Sequence, residues 1–187
     1  MAITTFAAID IGSYEVSMKI FELSKKIGFR QLNDVRYRLE IGKGAYSSGR
    51  LEPEIVDSIC MILNDFSKMM KEFGVSDYRA CATSAFREMV NPLIVQEQIY
   101  RRTGIHVEIL SNAEQHFLGY KSIAAKESGF KKMIQKGTAI LDVGGGGLQV
   151  SLFDKDALVQ HRASRWEACV SVNGSKNLRR PRRITTS

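Results

Sequence analysis

Hydrophobic positions change period along this chain, and each change marks an element. Residues 4–11 are rich in β-forming and apolar side chains and predict a strand. Residues 13–23, with Val16, Met18 and Ile20 at alternate places, predict its hairpin partner. Residues 29–41 nearly alternate at Leu32, Val35, Tyr37, Leu39 and Ile41 and predict a third strand. A polar, glycine-bearing turn over 42–49 follows. The period then becomes helical. Pro53 opens a helix whose stripe is Ile55, Ile59, Ile62, Phe66, Met69 and Phe73, with Gly74 as its C-terminal cap. Residues 78–83 predict a strand. Asn91-Pro92 opens a helix to about Arg102, residues 105–110 predict a strand, and Ser111 caps a helix to about Glu127. Residues 138–143 and 148–153 predict the arms of another hairpin.

The order is three strands, then helix and strand in alternation. It predicts an α/β fold with a mixed five-stranded sheet and flanking helices. About 130 residues after the first strand–turn–strand a similar one begins. The second reads as the first hairpin of a second, similar domain. The expected organisation is a first domain over 1–135, the start of a second over 136–160, and a basic tail over 161–187.

Two turns carry the chemistry. Ala139-Ile140-Leu141-Asp142-Val143 is an apolar run ending at an aspartate, followed by Gly144, Gly145, Gly146 and Gly147. Glycines let backbone N–H groups approach an anion closely, and Asp142 is placed to hold a metal or a water. Ala7-Ala8-Ile9-Asp10-Ile11-Gly12-Ser13 echoes this pattern. Two such turns predict two halves facing one ligand. Other residues have an ordinary reading beside a functional one. Glu114 suits the first turn of a helix for dipole reasons alone, and Arg87 suits a surface ion pair. His116 has no spaced partner of the kind a metal site needs.

Composition narrows the picture. Hydrophobic residues make up 44% of the 187, enough to bury a core, and no apolar run is long enough to span a membrane. Cys60, Cys81 and Cys169 lack disulfide or metal spacing; Cys60 and Cys81 are expected to be buried. A cytoplasmic location is the default. The net charge is +7, but seven Lys or Arg and one acid lie from Arg162 onward, so +6 belongs to the tail and +1 to the rest. A nucleic-acid-binding fold is therefore not indicated.

The paired turns and the element order resemble the actin-like ATPase superfamily, whose fold is ribonuclease H-like. Finer phrases resemble its exopolyphosphatase and guanosine pentaphosphate phosphohydrolase (Ppx/GppA) branch. These are residues 7–13, Ala82-Thr83-Ser84-Ala85-Phe86-Arg87-Glu88 with Asn91, Val107-Glu108-Ile109-Leu110-Ser111 with Glu114, and Leu141-Asp142-Val143-Gly144-Gly145-Gly146. The resemblance runs from about residue 3 to 160. It implies release of a terminal phosphate from polyphosphate or pppGpp with Mg²⁺. It assigns Glu114 as the catalytic base. Gly12, Ser13, Arg87, Gly144, Gly145 and Gly146 would bind phosphate, and Asp10 and Asp142 would bind metal. A homodimer of an intact parent is left open, with the chain its truncated N-terminal portion.

The chain departs from the branch at three places. Tyr14-Glu15 stands for Asn-Ser, Gln115 for a second glutamate, and Gly147-Leu148-Gln149 for Ser-Thr-Glu. Glutamine can ligate a metal through its carbonyl but cannot act as a base. The alternative is thus a catalytically impaired phosphate or nucleotide sensor of the same fold. The tail predicts either a disordered basic arm or a segment read out of frame. Residues 163–175, back-translated and read in the third frame, give a Pro-Leu-Gly phrase like one found in the branch.

Overall fold

The structure is a computed structural model, which describes residues 3–26, 28–144, 147–165 and 183–184. Contacts divide the chain into two compact units. The first spans 1–109 with 174–187, and the second spans 110–173. The division falls earlier than the expected boundary after residue 135.

In the first unit β1 (Thr4–Ile11), β2 (Glu15–Ser24) and β3 (Gly28–Arg38) form an antiparallel meander. β4 (Asp77–Ala82) lies parallel to the other edge of β1, and β5 (Val107–Ile109) parallel to β4. The order β5-β4-β1-β2-β3 is the expected ribonuclease H-like mixed sheet. A two-residue strand, Arg183–Ile184, extends it beyond β3.

Alternation decides which face is covered. Ala7, Ile9 and Ile11 of β1 and Val16, Met18 and Ile20 of β2 are buried in one cluster with side chains of the helices. The intervening positions form the other face. There Lys19 pairs with Asp34, Arg36 with Asp34 and Glu15, and Arg79 with Glu108. The hydrogen bonds from Arg36 hold the Asp34 carboxyl below its usual range.

The helix α2 (Pro53–Glu72) starts where predicted, but its face is rotated. Val56, Ile59, Cys60, Ile62, Leu63, Phe66 and Met70 are buried, while Ile55 and Met69 are partly buried and Phe73 is exposed. Cys60 is buried as expected, and burial pushes its thiol up. Cys81 is half-buried, and Cys169 lies outside the described residues. α4 (Pro92–Thr103) follows its prediction and ends on Gly104 in the left-handed region.

Three short helices went unforeseen, two in the first unit and Phe130–Ile134 in the second. The stretch expected to be a polar turn is α1 (Ile41–Ser48), and Ser84–Arg87 forms α3. Gly42 and Gly44 are poor helix formers, so packing overrides propensity in α1. Ile41 and Ala45 are buried, and a Cβ on Gly44 would lie 2.7 Å from the Arg50 carbonyl oxygen. Only glycine fits there.

In the second unit α5 (Asn112–Lys126) and α6 (Phe130–Ile134) accompany an antiparallel sheet. Its strands are β6 (Thr138–Gly144), β7 (Gly147–Asp154) and β8 (Ala157–Arg165). β8 was not predicted. It joins β7 through Lys155 and Asp156, both at positive φ, as a two-residue hairpin of the mirror-image type. The tail expected from 161 therefore starts inside a strand, and residues 166–182 lie outside the described residues.

One face of this sheet meets the helices. Phe153 packs edge-on with Tyr120 and Phe130, Tyr120 hydrogen-bonds Ser151, and Ser151 hydrogen-bonds His161 Nδ1 at 2.9 Å. His116 packs against His161 with ring centres 4.2 Å apart and planes tilted by 51°. No described helix is long and apolar enough to cross a membrane.

Candidate functional site

In the first unit the ends of β1 and β4 are tied together. The Thr83 amide donates to the Ile11 carbonyl at 3.3 Å, which places α3 beside the turn after β1. The Gly12 amide donates to Glu15 O at 2.9 Å, and a Cβ on Gly12 would lie 3.2 Å from that oxygen. Gly12 therefore closes the turn. Its N–H serves the turn.

Ser13 is buried, and its carbonyl accepts from Gly42 N at 2.9 Å. Its hydroxyl meets Tyr46 Oη at 2.6 Å and Ser84 Oγ at 3.0 Å. Tyr46 in turn donates to Ser84 at 2.9 Å. Arg87 lies one helical turn beyond Ser84 and is half-buried. Burial lowers its guanidinium pKa, opposed by Tyr46 and Glu88, and an arginine remains charged regardless.

Asp10 lies on the polar face, with Ser17 and Cys81 as its strand neighbours. One side is open to solvent, yet the surrounding protein desolvates it. Burial, and secondarily Glu15, pushes its carboxyl up to about 6. The structure thus brings Asp10, Ser13 and Arg87 onto adjoining ends of β1 and α3. Sequence reasoning missed Tyr46 and did not single out Ser84. Ser84 sits inside a phrase that was already flagged. Tyr46 is the one aromatic in a run of small residues, and that is the only signal it gave.

The other predicted residues belong to the second unit. Glu114 is exposed at the start of α5 and completes a capping box. Its Oε2 accepts from Ser111 N and Ser111 Oγ, each at 2.8 Å, while Glu114 N donates to Ser111 Oγ at 3.2 Å. Gly144 pairs with Gly147 at the hairpin end, and Gly145 and Gly146 lie outside the described residues.

Asp142 is exposed and opposite Gln149, so both side chains share a face. Gln149 Oε1 is buried and has no hydrogen-bond partner among the described residues. Mg²⁺ takes oxygen ligands and keeps several waters. A carboxylate beside an unsatisfied carbonyl oxygen fits that preference. Among the described residues no three His, Cys, Asp or Glu side chains cluster as a metal cage. Water or phosphate oxygens would have to complete the shell.

The chain is 25% identical over 175 residues to Exopolyphosphatase 2 of Mycobacterium tuberculosis, covering 87% of this chain and 52% of that protein. It is 24% identical over 143 residues to Exopolyphosphatase 1 of Mycobacterium leprae, covering 76% and 41%. Among solved structures, the Aquifex aeolicus Ppx/GppA family member superposes with a TM-score of 0.71 at 22% identity, covering 88% and 52%. This likeness establishes the fold. The chain spans about half the length of the curated relatives it matches. A family model matches residues 20–172, so the likeness extends past residue 160, where the resemblance read from the sequence ends. That model is the Ppx/GppA phosphatase family, and the chain belongs to it.

Proposed function

We propose that the chain supplies the phosphate-holding part of a phosphohydrolase that releases terminal phosphate from polyphosphate or pppGpp. The observation that carries this reading is the hydrogen bond between Ser13 and Ser84, which sets the turn after Asp10 against the helix bearing Arg87. A polyanion needs a fixed cation and nearby hydroxyl donors, and this corner supplies both. The names of the mycobacterial relatives favour polyphosphate.

In this reading Arg87 and the Ser13 hydroxyl hold phosphate, and the glycines of 144–146 are a separate phosphate-binding turn. Asp142 with Gln149 in the second unit, and separately Asp10 in the first, would offer oxygen ligands to Mg²⁺, which would offset charge on phosphate oxygens. Glu114 orients the attacking water and accepts its proton. Its capping bonds to Ser111 fix the carboxylate in place. The sheet of β6, β7 and β8 opens a second domain of the same type, and the chain is the N-terminal portion of the enzyme.

The test is phosphate release from polyphosphate and from pppGpp, assayed separately with Mg²⁺. Release that falls at least about a hundredfold in Arg87→Ala and Glu114→Ala supports the reading. Binding of either compound without release would reassign the protein as a sensor. Absence of binding to both would defeat the proposal.

A further inference from the structure

Three hydroxyls close a ring in the first unit, and one belongs to a residue outside the family phrases. Ser13, Tyr46 and Ser84 come from the turn after β1, from α1 and from the start of α3. Their mutual distances are 2.6, 2.9 and 3.0 Å, so each oxygen is in hydrogen-bond range of both others. We infer that Tyr46 is a positioning residue for phosphoryl ligands, holding the Ser13 and Ser84 hydroxyls in a ring that opens toward an incoming phosphate oxygen. This deepens, and rests on, the phosphate-binding reading given above.

Counting protons supports the assignment. Each hydroxyl has one proton to donate and two lone pairs. Three protons satisfy three contacts when they run in one direction, from Tyr46 to Ser84, from Ser84 to Ser13 and from Ser13 to Tyr46. The contact whose direction the geometry fixes, Tyr46 donating to Ser84, agrees with that cycle. The closed ring satisfies its own donors without a ligand, which matters because Ser13 is buried.

A phosphate oxygen only accepts. To bind it, one serine must turn its proton out of the ring, and the ring must survive the loss of that bond. Tyr46 makes this possible. Its hydroxyl still donates to Ser84 when Ser84 turns outward, and when Ser13 turns it still fixes Ser84, which goes on donating to Ser13. A serine held this way presents a donor without first losing rotamer freedom. The tyrosine itself is held because α1 buries Ile41 and Ala45 and accepts no side chain at Gly44. The unexpected helix therefore has a task at the site.

The experiment is calorimetric titration of the 187-residue protein with inorganic tripolyphosphate. Proteins compared are the unmodified chain, Tyr46→Phe, Ser84→Ala and the double variant. Melting without ligand is recorded for each. The inference expects Tyr46→Phe to weaken binding about tenfold, the order of one well-placed bond to a charged group, with ligand-free melting little changed. It also expects the double variant to bind no more weakly than the worse single one, because both substitutions open the same ring. Effects that multiply independently, or a Tyr46→Phe affinity equal to the unmodified chain, would overturn it. If Tyr46→Phe does not fold, Ser84→Ala decides, and unchanged affinity there overturns it too. An unmodified chain that fails to bind tripolyphosphate would remove the phosphate reading and this inference together. Binding that is indifferent to Tyr46 would remove only the inference.

Discussion

Each unit has a sheet with a face that its own helices leave uncovered, and the two faces differ in kind. In the first unit that face carries Asp10, Ser17, Lys19, Asp34, Arg36 and Arg79, with ion pairs linking neighbouring strands. It is suited to water. In the second, Leu141, Val143 and Leu152 lie on the face away from Ser151 and Phe153, exposed by 62%, 67% and 39%. The interiors differ likewise. Of the buried apolar side chains among the described residues, only Leu110 and Phe153 belong to the second unit, and α5 buries none. The first unit therefore holds itself together by apolar burial. The second relies on hydrogen bonds, a cap and a few ring contacts. A contiguous exposed apolar face is typically a surface meant to be covered.

The sharpest way to break this comparison is to remove one ring from each unit. Phe66 is fully buried and packs against Tyr37, so Phe66→Ala should cost about 3–5 kcal/mol in denaturant unfolding. Phe153→Ala should cost roughly half as much or less, because partial collapse is easier in a thin core. Equal costs would show that the second unit has a core of comparable quality.

Ser111→Ala comes next, at about 1 kcal/mol of local stability for α5, read as faster amide exchange in that helix. Exchange left unchanged would mean that packing, not the capping box, maintains α5.

Asp10 provides a test by pH. Its folded pKa, raised to about 6 from 3.8, means the folded state holds the proton more tightly. Its contribution to stability is therefore present below pH about 4 and lost as pH rises through about 6. Asp10→Asn should raise stability at pH 7 but not at pH 4. With one side open to water the gain is about 1 kcal/mol, or roughly 2–4 °C in melting. A gain of the same size at both pH values would show that desolvation of the carboxylate is not its source.

The smallest effect sharpens the contrast between the faces. Leu141→Gln should leave stability within about 0.5 kcal/mol while reducing self-association in sedimentation. A large loss of stability would mean that Leu141 is packed.

Legibility in the sequence followed the same divide between local and distant causes. β1, β2 and the start of α2 were readable because alternation, helical period and Pro53 are local signals. The buried face of α2 was misjudged because its stripe is broad, and Val56, Cys60, Leu63 and Met70 offered a second stripe one step away. α1 was hidden because its glycines argue against a helix, and the packing that overrules them comes from elsewhere in the chain. The corner formed by Ser13 and Arg87 could be approached from short phrases. The ring joining it could not, since Tyr46 lies 33 residues from Ser13 and 38 from Ser84. Glu114 was seen both as a helix-start residue and as a base, and the capping box bears out the first.

The position of β1 has a consequence for how the chain is made. β1 pairs with β2 on one edge and with β4 on the other, and 65 residues separate Ile11 from Asp77. At ribosomal speeds of roughly 5–20 residues per second, β4 is synthesised about 3–13 s after β1. The meander can form at once, but through that interval the strand bearing Asp10 has one edge unpaired. The nascent chain is thus open to strand addition by a neighbour at the very segment on which the site is later built.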